Sequence, residues 1–252
     1  MQVPTGKNIY FLSDFHLGVP DHASSLEREK RIVRFLSGIK EDAAAVFIAG
    51  DLFDFWYEYK KVVPKGFVRI LGKMAELTDS GIPLYFFVGN HDMWMSGYFE
   101  KELGIPVYDE PKDFTFNGKK FLIGHGDGLG PGDRGYKCLK QIFRNKACRW
   151  LFGILPPYIG MGIAHWLSKS SRAVTGEDDA HFLGADKEWL ISYCKAVLQQ
   201  KHYDFFIFGH RHLPIDFALE GGSRYINLGD WIRYNSYAVF DGQQLELKYF
   251  ES

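Results

Sequence analysis

Five segments of this sequence end a short apolar, β-prone run in residues able to hold a metal ion: Asp14 with His16, Asp51, Asn90, His125, and His210 with His212. Carboxylate, imidazole and amide oxygen together suit divalent cations of the manganese, iron or zinc kind, and seven donors exceed the needs of one ion. The set therefore fits two ions that share a carboxylate, with Asp51 as the natural bridge. Two such ions about 3.5–4 Å apart can each take a phosphate oxygen and hold a hydroxide between them, which is chemistry for displacement at phosphorus. Singly, each segment has a plainer reading, since Gly-Asp after a strand is ordinary turn chemistry. The recurrence is what argues for a site.

Each donor needs an element to present it. Residues 8–13 read as a buried strand running into Asp14-Phe15-His16. Positions two apart in extended chain face one side, so Asp14 and His16 can converge while Phe15 turns inward. Residues 46–49 end in Gly50-Asp51, residues 84–88 in Gly89-Asn90-His91-Asp92, and residues 204–208 in Gly209-His210-Arg211-His212. A hairpin turning at Asn117-Gly118 spans residues 114–123 and ends in Gly124-His125-Gly126-Asp127. The periodicity predicts amphipathic helices over residues 24–40 and 65–80. Strand, helix, strand, helix, strand predicts parallel strands whose ends open on one crevice. The alternating stretches 223–231 and 237–249 are expected to complete a second sheet packed on the first. His91, beside the Asn90 ligand, can donate a proton or bind an anion, so Asp51, Asn90 and His91 are the expected catalytic residues.

A chain of 252 residues can bury a large core, and one domain over residues 1–252 with an insertion is expected. The aromatic share, 17%, is high enough either to thicken that core or to line an apolar binding surface. A net charge of −1 gives no reason to expect nucleic acid as a partner. Cys138, Cys148 and Cys194 form no C-x-x-C and cannot all pair, which fits a reduced, cytoplasmic compartment and argues against structural zinc. No signal-peptide core opens the chain, and no window approaches about 18 uncharged apolar residues, so no membrane span is expected.

The ordered series D-x-H, G-D, G-N-H-D, G-H and G-H-x-H resembles the calcineurin-like metallophosphoesterase superfamily. That resemblance implies an α/β fold of two mixed β-sheets packed as a sandwich and flanked by helices. It implies one metal on Asp14, His16, Asp51 and His212, and a second on Asp51, Asn90, His125 and His210. More narrowly, Gly50 to Trp56, His125 to Leu129, Asp133 to Tyr136 and Leu228 to Trp231 resemble the UDP-2,3-diacylglucosamine hydrolases of lipid A synthesis, over nearly the whole chain. The likeness implies attack on the UMP-side phosphorus of a lipid-linked nucleotide, usually with manganese, at the cytosolic face of the inner membrane. One departure is plain: the best-known members of that family carry Arg after the Asn ligand, where this chain has His91. Arg offers a permanent fork to a diphosphate, whereas His can also act as an acid.

Residues 129–202 should decide the substrate. Lys137, Lys140, Arg144, Lys146 and Arg149 alternate with Leu139, Ile142, Phe143, Trp150, Leu151 and Phe152 as one basic amphipathic helix, followed by an apolar helix after Pro156-Pro157. The plain reading is a helical pair with its own core. The sharper reading is a cap over the metal crevice that holds acyl chains and touches a lipid surface peripherally. Asp133 and Tyr136 match family positions near the nucleotide, and Lys169 and Arg172 are further candidate phosphate contacts. His22, His165, His181 and His202 fall outside the strand-end series and read as structural or surface residues, and Trp94 as core or rim packing. Two other functions stay open on sequence alone. One is a soluble phosphodiesterase or phosphatase of the same superfamily, and the other is an interaction scaffold on the same fold.

Overall fold

The computed structural model describes residues 1–131, 134–163, 181–182 and 184–251. Asp133, His165, Lys169 and Arg172 lie outside the described residues. Among the described residues eleven strands form two sheets. The first has the order β11-β10-β1-β2-β3-β4, with β1 Asn8–Leu12, β2 Ala43–Ala49, β3 Leu84–Phe87, β4 Val107–Tyr108, β10 Ser236–Phe240 and β11 Leu245–Tyr249. The second has the order β5-β6-β7-β9-β8, with β5 Lys112–Phe116, β6 Lys119–Ile123, β7 Phe205–Phe208, β8 Pro214–Ala218 and β9 Arg224–Leu228.

Period-two alternation decides the layers. Ile9 and Phe11 turn one way to meet Phe47, Phe121, Ile207 and Phe240 between the two sheets, while Tyr10 and Leu12 turn the other way. That outer face is covered by α1, His22–Gly38, through Ile32, Phe35 and Leu36, and by α2, Val68–Asp79, through Ile70, Met74 and Leu77. The far face of the second sheet is covered by α7, Trp189–Leu198, through Leu190, Ile191 and Cys194. Much of the aromatic content fills the space between the sheets, where Phe47 lies 5.3 Å from Phe11 and 5.0 Å from Phe114 between ring centroids. At about 1.5–3 kcal/mol for each buried Phe, this layer is a principal source of stability.

The sheets hold the expected parallel strands: β1, β2 and β3 pair in parallel, as do β6 and β7. Two expectations change. The C-terminal stretches do not stay together: β9 joins the second sheet beside β7, but β10 pairs antiparallel with β1 and puts the β10–β11 hairpin on the first. Alternation marks a strand without saying which sheet it joins. The basic helix is also two: α4, Arg134–Arg144, and α5, Lys146–Ile154, part at Asn145, whose side chain caps α5 by accepting from the Ala147 and Cys148 amides. A short helix, α3, covers Tyr98–Glu102, and α6 is described over residues 157–163. Among the described residues no helix is long and apolar enough to cross a membrane.

Candidate metal centre

Because β1, β2, β3, β6 and β7 run in parallel within their sheets, the donors that follow them arrive at one edge of the sandwich. Asp14, His16, Asp51 and His125 are all buried there. Asp14, His16 and His212 form one group with donor atoms within 4.8 Å of one another, and Asp51, His125 and His210 form another. Asp51 Oδ2 lies between them, 3.6 Å from His16 Nε2 and 3.3 Å from His125 Nε2. Asn90 Oδ1 is 3.1 Å from His125 Nε2. All seven residues expected as ligands are therefore together. His91 forms a third group with His16 and Asp51.

The donor set fits divalent ions on its own terms. Asp14 Oδ1 and Asp51 Oδ2 are buried with no hydrogen-bond partner, a costly state for a carboxylate oxygen that a cation would relieve. His16 Nε2 and His212 Nε2 face each other at 3.2 Å, and both lie near Asp14 Oδ1, at 3.6 and 3.5 Å. The carboxylates are held in the state a ligand needs. Burial pushes the Asp51 carboxyl up, but the imidazoles of His125, His91 and His16 outweigh it and hold it well below the usual range. Asp14 is likewise brought down to about 2, against its burial, by His16, His212 and His125.

The backbone is bent to make this possible. Asp14, His16, Asp51, His210 and His212 all have positive φ, between 43° and 67°, among nine described non-glycine residues that do. Such conformations cost of order 1–3 kcal/mol each and persist where surroundings enforce them, commonly at functional sites. Two glycines leave the room required. A Cβ on Gly50, at φ +90°, would fall in the His125 ring. One on Gly89 would stand 2.1 Å from Asp51 Oδ1 and 2.6 Å from the Asp51 backbone nitrogen. Gly89→Ala is expected to displace Asp51, costing about 1–3 kcal/mol of stability by overpacking and weakening metal binding. Thermal melting and metal content check both effects, and an unshifted variant would contradict the crowding.

Four supporting residues were not singled out from the sequence. Asp54 places its backbone oxygen 3.0 Å from His91 Nδ1, and its carboxylate 3.6 Å from the same nitrogen and 3.8 Å from His16 Nδ1. A carbonyl only accepts, so Nδ1 of His91 carries the proton. The same reasoning puts a proton of His125 on Nδ1, 2.8 Å from the Ala49 carbonyl, with Nε2 turned to Asp51 Oδ2 and Asn90 Oδ1 as the candidate ligand atom. Asp230 stands 3.4 Å from His212 Nδ1, and its other oxygen accepts from the amides of Ile232 and Arg233. Asp92 accepts from the Gly89 and Leu52 amides, tying two ligand loops together, and burial with the nearby Asp51 charge pushes its carboxyl up to about 8. Arg211 lies between two of the histidines. The strand-end positions of these residues were visible, but an Asp in a turn carries no sign of which ring it supports.

The helices after β6 reach the same rim. Tyr136, on α4, donates to Asp127 Oδ2 at 2.6 Å and lies 6.3 Å from the His210 ring, centroid to centroid. Lys140 pairs with Asp127 at 2.6 Å, Arg144 donates to the Asp109 carbonyl, and Arg149 to that of Met95. Lys140, Arg144 and Arg149 on α4 and α5 thus face the body of the protein. α5 exposes Lys146 at its start and, beyond it, a run of large apolar side chains, Trp150 at 66%, Leu151 at 57% and Ile154 at 60%. Trp94 is buried, as expected of packing, and donates from Nε1 to the Phe143 carbonyl. A cavity of about 770 Å³ opens between α1, the 55–67 segment and α6, lined by Leu17, Leu26, Phe55, Val63, Phe67 and Met161. Leu17 directly follows His16 in the chain, so this apolar space begins beside the candidate metal site.

The calcineurin-like phosphoesterase family matches residues 7–214. A UDP-2,3-diacylglucosamine hydrolase from Porphyromonas gingivalis is 42% identical over 256 residues, covering 96% of this chain and 97% of its own. Another, from Aeromonas hydrophila subsp. hydrophila, is 32% identical and covers 91% and 92%. Among solved structures, a dimetal phosphatase from Danio rerio aligns over 98% of this chain and 96% of its own, at 14% identity and a TM-score of 0.48.

Proposed function

This chain belongs to the calcineurin-like phosphoesterase family, and from that premise we propose that it hydrolyses the diphosphate of UDP-2,3-diacylglucosamine to UMP and 2,3-diacylglucosamine 1-phosphate. The observation that carries the substrate is the near full-length likeness to hydrolases of that name. One ion is assigned to Asp14, His16, Asp51 and His212, the other to Asp51, Asn90, His125 and His210. Manganese is the assigned ion, with iron and zinc compatible with the same donors. When bound, the pair supplies a hydroxide at neutral pH and a clamp on phosphate oxygens.

The chain's own residues do the rest. Asp51 would hold both ions, and its Oδ1 accepts from the His91 amide at 2.9 Å, so the same carboxylate also fixes the loop that carries His91. His91, its Nδ1 proton held on Asp54, turns its other nitrogen to the reacting phosphate and, when protonated, donates to the oxygen on which charge develops. Asn90, His91 and Tyr136 are the described candidates for holding the diphosphate. Water adds at the UMP-side phosphorus, the bond from that phosphorus to the bridging oxygen breaks, and the diacylglucosamine phosphate leaves.

Residues 129–202 act in this reading as a cap inserted in a single domain. The cavity beside His16 takes acyl chains, and the apolar face of α5 rests on the membrane surface at the cytosolic side. Replacing Trp150 and Leu151 together by glutamate should lower association with phosphatidylethanolamine and phosphatidylglycerol vesicles about tenfold or more, given the apolar area withdrawn. Hydrolysis of detergent-dispersed substrate should persist, and unchanged sedimentation with vesicles would count against the membrane role. His91 favours one second reading, a phosphodiesterase of broader range. Acyl-free nucleotide substrates separate the two, because the first reading requires them to be cleaved far more slowly than the acylated one.

A further inference from the structure

His210 and His212 are the only two assigned ligands that share one turn with a cation, Arg211, set between them. Both have left-handed backbone, at φ 67° and 53°, and the turn is closed by the Arg211 amide donating to the Gly209 carbonyl at 2.8 Å. Arg211 is 1% exposed, and so is its partner Glu188, the residue that opens α7. The guanidinium meets this carboxylate with two nitrogens, Nε to Oε2 at 3.0 Å and Nη2 to Oε1 at 3.3 Å. Nη2 also donates to the His181 carbonyl at 2.7 Å. Trp189 covers the guanidinium at 5.8 Å, and its ring centroid lies 6.2 Å from that of His210.

A buried ion pair is a poor device for stability alone, because apolar residues of similar volume commonly serve as well or better. What the planar fork adds is direction, since two parallel hydrogen bonds fix the plane and position of the guanidinium. Side chains on either side of Arg211 are then fixed through the backbone. We propose that Arg211 and Glu188 are a positioning pair that holds the imidazoles of His210 and His212 in place for metal binding, and joins them to the chain returning from the helical insertion. This rests on the assignment of both histidines as ligands.

The test uses the full-length protein, stripped of metal and titrated with manganese by calorimetry. In the double variant Arg211→Met/Glu188→Leu the fork and its carboxylate are removed together, and thermal melting reports whether the fold survives. Its affinity for manganese should fall by about 10- to 100-fold, the usual effect of losing support behind a ligand. A double variant that melts cooperatively and binds manganese as the parent does would reduce the pair to packing and overturn the proposal. If it does not melt cooperatively, Arg211→Lys, which retains the charge and lacks the fork, decides by the same criterion. His212→Ala distinguishes the two levels. Loss of a manganese ion in that variant alongside normal binding in the pair variants overturns only the positioning role, whereas two ions retained by His212→Ala would overturn the ligand assignment itself.

Discussion

Asp51→Ala should leave the protein unable to hold two ions and lower turnover at least about a thousandfold. The carboxylate has two separate jobs. Oδ2, buried and without a hydrogen-bond partner, faces ring nitrogens from both ligand groups, and Oδ1 receives the His91 amide. Alanine removes the one residue assigned to both ions and loosens the loop that carries Asn90 and His91. Ions that stabilise developing charge supply several kcal/mol, and each 1.36 kcal/mol is a factor of ten in rate. Metal analysis after dialysis and steady-state rates check this together. Two ions bound per chain in the variant would remove Asp51 from the bridge.

His91→Ala should lower turnover by about a hundred- to ten-thousandfold while leaving both ions in place, the range for losing a positioned proton donor. His91 lies within reach of His16 and Asp51, so the alternative is that it is itself a ligand. The geometry favours the proton-donating role, because its Nδ1 is engaged by Asp54 and its ring stands edge-on to His16 at 4.8 Å between centroids. Metal content discriminates cleanly. Loss of an ion from His91→Ala would make it a ligand, and an unchanged rate would remove it from the chemistry.

The convergence of these seven residues was legible because each follows an apolar run of buried-strand type, and parallel strands bring their ends to one edge. Neither the contacts nor the left-handed turns that aim the donors could be read in this way. Asp and His specify no positive φ, and the room for those turns comes from Gly50 and Gly89 meeting side chains far off in sequence. Asp54, Asp92, Asp230 and Arg211 were visible as letters inside the motifs, yet their roles depend on which ring or amide lies opposite. The C-terminal strands were recognised as strands and assigned to one sheet, because alternation reports burial of a face and is silent on the neighbour. The amphipathic pattern of α4 and α5 does not say where the basic stripe points, because periodicity cannot tell a solvated face from one docked onto Asp127, Asp109 and Met95.

The most direct test of two-ion hydrolysis at a lipid-linked diphosphate is to incubate the protein with manganese and UDP-2,3-diacylglucosamine in water enriched in ¹⁸O, and to weigh the products by mass spectrometry. The predicted result is UMP carrying one ¹⁸O, with unlabelled 2,3-diacylglucosamine 1-phosphate and no reaction when a chelator replaces manganese. No UMP, or label in the sugar phosphate instead, would contradict it.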